Sequence, residues 1–256
     1  MNVRTVYNLI NTVAPFETQM EGDNSGLLVG SPDQEIGSIL FALDVTESVI
    51  DEAVALGAGL IVSHHPLMFS AIRSLTDENY EGRLIRRLVR ENISLIAAHT
   101  NLDRADGGIN DTLAVLCGLI EVSGEAFFRA GFLPEPMTAR SFADLLEENL
   151  ETTVRIMAPE DRMIRRVGLC SGGGSDEWYH AAEAGCDAFV SGEIKHHHAL
   201  AMADAGIAAF ECGHFATEEP GLSALAEALQ NSLDHVECNV RVFVSAVPAY
   251  SFPRTL

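Results

Sequence analysis

The chain has 256 residues, 47% of them hydrophobic, with 37 acidic side chains against 16 basic ones and a formal net charge of −21. That length buries one large core or two modest ones, and the acidic balance leaves no basic stripe to neutralise phosphates, which excludes nucleic acid as a partner. No stretch approaches the roughly 18 to 20 consecutive apolar residues of a membrane span, and residues 1–19 lack the layout of a signal peptide. A cytoplasmic protein with no membrane contact is therefore expected.

The basic residues are almost all arginine, since Lys195 is the only lysine. A surface carpeted with carboxylates repels itself in dilute buffer and is screened in concentrated salt, where the Debye length falls to about 3 Å at 1 M. A halophilic source is the preferred explanation, and an ordinary acidic protein the competing one. Cys117, Cys170, Cys186, Cys212 and Cys238 form no CxxC pair and lie in or beside apolar runs, the pattern of buried thiols in a reducing compartment.

Apolar residues at Val6, Leu9, Ile10 and Val13 predict a helix over 5–14. Asn24, Ser25 and Gly26 interrupt. Residues 39–43 read as a buried strand running into Asp44, and Thr46 caps a helix that ends at Gly57. A second strand (60–63), a helix (81–92) and a third strand (93–98) follow, a rhythm that implies right-handed crossovers and a parallel sheet.

The rhythm restarts near Gly124, with a strand over 125–133, a helix over 139–149 capped by Thr138, and strands at 154–157 and 167–170. Gly172, Gly173 and Gly174 precede a helix over 176–184. They lack the Lys-Ser/Thr of a phosphate-binding loop, so a flexible turn is preferred over a phosphate cradle. The chain then alternates strand 188–191, helix 199–205, strand 207–212, helix 218–232 and strand 240–245. The expected class is α/β, with one lobe from 1–124 and 213–256 and another from 125–212. Residues 57–65 and 185–193 each run from a helix end through a buried strand to Val-Ser and polar residues. Internal duplication and convergence of two βα units both account for that match.

Four polar clusters follow predicted strands: Ser63 to Pro66, His99 to Asp103, Gly192 to His198, and Gly213 to Glu218. Carboxyl ends of strands are where α/β sheets collect ligands, and seven of the nine histidines lie in these clusters. Imidazole and carboxylate together suit Zn, Fe or Mn. His214 and Glu218, four apart at a helix start, share a face and can share a metal. His99 and Asp103 have the same spacing, although Asn101 and the Gly107-Gly108 pair suggest a loop there. His64 and His65 are adjacent, and on an extended chain they point to opposite sides. Two ions side by side would take one each, which hints at a binuclear centre.

Taken together, Asn24-Ser25-Gly26-Leu27, Ser63-His64-His65-Pro66-Leu67, His99-Thr100-Asn101-Leu102-Asp103, Ser191-Gly192-Glu193 with Lys195-His196-His197, and Gly213-His214 with Glu218 resemble the NIF-three-like proteins, often labelled GTP cyclohydrolase 1 type 2. The resemblance runs over nearly the whole chain. It implies two similar α/β lobes, a ring-shaped homohexamer, and two divalent ions held by His64, His65, Asp103, His214 and Glu218, with Glu218 bridging.

The activity it implies is ring opening of GTP by metal-activated water at C8 of the guanine, with His99 or His197 moving protons. The substrate comes from the family label alone. Within the tract 196–198 the resemblance is preferred over a bare metal tract, and His197 is expected to face a cavity. A binuclear phosphoesterase-type hydrolase of another small anionic substrate fits the same ligands, and a metal-binding scaffold without turnover is the reading from a different class.

Overall fold

The computed structural model describes residues 1–235 and 239–248, and the chain forms two compact units. The first holds Met1–Ala105 and the described residues from Leu222 onward; the second is Asp106–Gly221.

In the first unit, Asn2 caps α1 (Val3–Val13) by accepting from the Thr5 amide, and a short strand β1 (Gly26–Val29) follows. Strand β2 (Ser38–Ala42) is buried along its whole length and leads to α2 (Glu47–Leu56). Thr46 caps that helix at the Val49 amide, and Gly57 ends it with φ 64°, a left-handed conformation natural to glycine. Next come β3 (Leu60–Ser63), α3 (Tyr80–Arg90) and β4 (Ser94–Ala97). β2, β3 and β4 pair in parallel, as the strand–helix–strand rhythm predicts, whereas β1 adds to β4 in the antiparallel sense. Four residues with a two-Leu core carried too little pattern to be read as a strand. Fully buried Leu40, Ile50, Ile61, Leu84, Leu88 and Leu95 tie α2 and α3 to this sheet.

A one-turn helix α4 (Thr100–Arg104) closes the first pass, where a loop was expected. Its five residues are too few to show periodicity, and tertiary bonds hold it. Thr100 donates its amide to Asp23, Asn101 Nδ2 donates to the Ala14 carbonyl at 2.8 Å, and Arg104 donates to the Thr18 carbonyl at 2.8 Å.

The second unit opens with α5 (Ile109–Leu116), β5 (Ile120–Ser123) and β6 (Arg129–Thr138). After α6 (Ala139–Asn149), capped by Thr138 as expected, come β7 (Arg155–Met157) and β8 (Met163–Cys170). Then follow α7 (Trp178–Glu183), β9 (Ala188–Ser191), α8 (His196–Asp204) and β10 (Ala208–Glu211). The sheet order is β5-β6-β8-β9-β10-β7, with β8, β9 and β10 parallel and antiparallel pairings at both edges. β6 runs past the predicted end at residue 133, because the register shift between Phe132 and Met137 absorbs Pro134 and Pro136, which cannot donate to a ladder.

The unit boundary falls at 105/106 rather than 124, since Leu113, Ala114, Cys117 and Leu119 pack into one core with Leu133, Phe142 and Phe210. The second boundary falls at 221/222 rather than 212/213, inside α9 (His214–His235), so His214 and Glu218 belong to the second unit. The chain then returns to the first sheet with β11 (Arg241–Val244), parallel to β2, giving the order β1-β4-β3-β2-β11.

Each unit repeats one local device. A left-handed glycine (Gly57, Gly185) feeds a fully buried central strand (β3, β9) that ends in a buried serine, Ser63 or Ser191. Cys117, Cys170, Cys186 and Cys212 are buried thiols outside any disulfide, and Cys238 lies outside the described residues. Among the described residues no helix is long and apolar enough to cross a membrane.

Candidate metal centre

In the first unit, three histidines gather beyond the carboxyl ends of β3 and β4. A ring nitrogen from each of His64, His65 and His99 lies within 4.8 Å of the others. Residues 64 and 65 follow the last residue of β3, so the alternation of an extended strand no longer applies. The two rings sit with centroids 5.0 Å apart rather than on opposite sides. Such spacing suits one ion's coordination shell or two neighbouring ions.

The hydrogen bonds set the ring orientation. His64 Nδ1 bonds the Ala98 carbonyl at 2.8 Å, which only an N–H can do, so Nε2 carries the lone pair. His65 Nδ1 bonds Asp44 Oδ1 at 2.8 Å, and His99 Nδ1 bonds Asp23 Oδ1 at 2.9 Å. Imidazoles tied at one nitrogen by a carbonyl or carboxylate, with the other presented, are the arrangement of metal-ligating histidines. Asp103 is buried on α4, with Oδ1 3.6 Å from His64 Nε2.

Asp23 is the anchor of this group. Burial pushes its carboxyl up, but hydrogen bonds from His99 and Thr100, with the charge of His99, outweigh burial and hold it well below the usual carboxylate range. Its second oxygen accepts from the Ser25 hydroxyl at 3.2 Å.

In the second unit, His214 and Glu218 share one face of the first turn of α9. His214 Nε2 lies 3.1 Å from Glu218 Oε2, while Nδ1 bonds Glu193 Oε1 at 3.2 Å, the same tied-nitrogen pattern. The glycine run is neither a phosphate cradle nor a loose turn. Gly172 has φ +52°, and a Cβ there would overlap the Glu218 carboxylate and stand 3.1 Å from His214 Nε2. Its amide donates to Thr217 Oγ1 at 3.0 Å, its carbonyl accepts from the Glu193 amide at 2.8 Å, and Gly192 packs against it just as closely. Glycine is required because the backbone touches the His–Glu pair.

α8 begins at His196, so the histidine tract is helical. His197 is exposed in its first turn with its ring 4.2 Å from that of His198, and His198 Nδ1 bonds Ser175 Oγ at 3.1 Å. Lys195 Nζ donates to Asp176.

The donor sets of both units, imidazole nitrogens plus buried carboxylates, fit a divalent ion such as Zn, Fe or Mn. Sequence reasoning placed Glu193 in a candidate cluster without giving it a role, and missed the orienting carboxylates Asp23 and Asp44. For Asp44 a signal was present, an acidic residue just past a buried parallel strand beside the histidine strand; Asp23 had none, because its loop meets His99 only through the fold.

A family model described as Duf34/NIF3 (NGG1p interacting factor 3) matches residues 1–249. A protein of Streptomyces coelicolor named GTP cyclohydrolase 1 type 2 homolog is 33% identical over 255 residues, covering 94% of this chain and 90% of that protein. One of Helicobacter pylori named GTP cyclohydrolase 1 type 2 is 29% identical, covering 90% and 92%. A solved Bacillus cereus protein related to NIF3 superposes with TM-score 0.93 over 99% of both chains, and at 22% identity it speaks for the fold alone.

Proposed function

The chain belongs to the Duf34/NIF3 family, and from that premise we propose that it is a metal-dependent hydrolase with a binuclear site. In this reading it opens the ring of GTP, as the names of its relatives suggest. The observation that carries it is the shared hydrogen-bond pattern. His64, His65, His99 and His214 each have Nδ1 engaged by a carbonyl or carboxylate.

His64, His65, Asp103, His214 and Glu218 are the residues that would hold two divalent ions. Bound ions would supply Lewis acidity and bring the pKa of a bound water toward neutrality. The chain's own groups do the rest. Asp44 and Glu193 fix the rings of His65 and His214. His99, held at Nδ1 by Asp23, presents Nε2 to move a proton; His197 is the second proposed proton carrier, from the exposed start of α8. A cytoplasmic homohexamer is part of the same reading, and light scattering behind size exclusion checks the assembly.

The test is metal stoichiometry by elemental analysis on protein purified in concentrated KCl, followed on the same sample by a product assay with GTP and a panel of phosphoesters. Two ions per chain and GTP-dependent product are expected. Two ions with no turnover of any compound would refute the hydrolase, and turnover of a phosphoester alone would replace the substrate. Glu218→Ala should lose at least one ion, and retention of two removes Glu218 from the ligands.

A further inference from the structure

The segment after His65 builds a second feature beside the histidines. From residue 67 to 74 the chain forms neither helix nor strand, and with Asn79 and Glu81 it lines a cavity of about 300 Å³. Asn24 Nδ2 anchors the segment by donating to the Met68 carbonyl at 2.8 Å. Phe69 is 63% exposed, and its ring stands edge-on to His99 with centroids 5.4 Å apart and planes at 88°. A phenylalanine left in water is ordinary when scattered singly. This one stands at the wall of a cavity and against an imidazole of the candidate centre.

Arg73 lines the same cavity and has no hydrogen bond or ion pair among the described residues. In a chain where carboxylates outnumber cations 37 to 16, several arginines find an acidic partner, as Arg4, Arg86, Arg87, Arg129, Arg140 and Arg155 do. An unpaired guanidinium in a concave wall is suited to phosphate, which its fork grips in a bidentate manner. It also answers the electrostatic difficulty that a chain of charge −21 repels an anion at long range.

Resting on the hydrolase reading, we propose that this cavity is the substrate subsite. Phe69 stacks a planar heteroaromatic ring beside His99, and Arg73 holds the phosphate that the ring carries. Residues four apart span at most about 14 Å of extended chain, the scale of one nucleotide. Stacking on an aromatic side chain tolerates any base because every base has a π-face, so ring class is set here and base identity is not.

The experiment is equilibrium dialysis of metal-loaded protein against guanosine, GMP and ribose 5-phosphate, with wild type, Phe69→Ala, Phe69→Trp and Arg73→Gln. Phe69→Ala should weaken guanosine and GMP by about 5- to 150-fold and leave ribose 5-phosphate unchanged, with Phe69→Trp restoring the loss. Arg73→Gln should weaken GMP and ribose 5-phosphate and spare guanosine. Metal content measured on every variant separates a binding loss from a damaged centre: a fall in metal in Phe69→Ala that accompanies its loss of binding overturns the subsite. So does failure of all three compounds to bind wild type, or an equal loss of all three in either variant. If the pattern holds while neither GTP nor any phosphoester is turned over, hydrolysis fails and the subsite stands. If GTP is turned over with unchanged KM in both variants, the subsite fails and hydrolysis stands.

Discussion

Gly172→Ala is the sharpest test of how the second unit prepares its ligands. The glycine has φ +52°, a conformation that costs a side-chain-bearing residue about 1–2 kcal/mol. The new methyl would also occupy the position of the Glu218 carboxylate and press on His214 Nε2, so the pair must move apart. The backbone cannot yield easily, because the Gly172 amide and carbonyl are both bonded, to Thr217 and Glu193. The strain term alone predicts a fall in Tm of about 2–8 °C, at 2–4 °C per kcal/mol for a chain of this size. Displacing ligands should weaken metal binding by about 10- to 100-fold, as loss of supporting contacts does elsewhere. Gly173→Ala is the control: its φ is −80° and a Cβ there meets open space. It should be neutral or stabilise by about 0.4–1 kcal/mol. Differential scanning fluorimetry with competitive chelator titration reads both effects. Equal behaviour of the two variants, or wild-type metal affinity in Gly172→Ala, refutes the reasoning.

Asp23→Asn keeps the shape of the anchor but removes the charge that holds His99 Nδ1–H, and an amide can present the wrong group to the ring. Any turnover should fall by about 10-fold or more while metal content holds, and an unchanged rate removes Asp23 from the site. Burial pushes the Cys186 thiol up to about 11 and raises Cys117 as well. An unfolded thiol ionises near pH 8.5 while these stay protonated in the fold, so their contribution is complete below that pH and is lost as pH rises toward 11. Ellman's reagent at pH 8 should leave both unmodified until denaturant is added, and rapid native labelling contradicts the burial. The charge of −21 predicts that the unfolding midpoint rises between 0.1 and 2 M KCl as repulsion is screened. A flat dependence, followed by circular dichroism, counts against the halophilic reading.

Much of the architecture was legible because its signals are local. Thr46 and Thr138 announce helix starts, Gly57 a helix end, and the apolar runs at the start of β3 and β9 a parallel core. The histidines stood out for the same reason, clustering just beyond those strands. Local signals carry the α/β class, the order of the main elements and the residue types that can hold a metal. The remainder depends on contacts between distant segments. α4 is a helix because Asp23, Ala14 and Thr18 hold it. His64 and His65 share a side because the chain bends past Ser63. The ring nitrogens present as they do because Asp23, Asp44, Ala98 and Glu193 take the other nitrogen. Those contacts join residues as far as 87 positions apart, and periodicity and capping, which act within a few residues, carry no information about them.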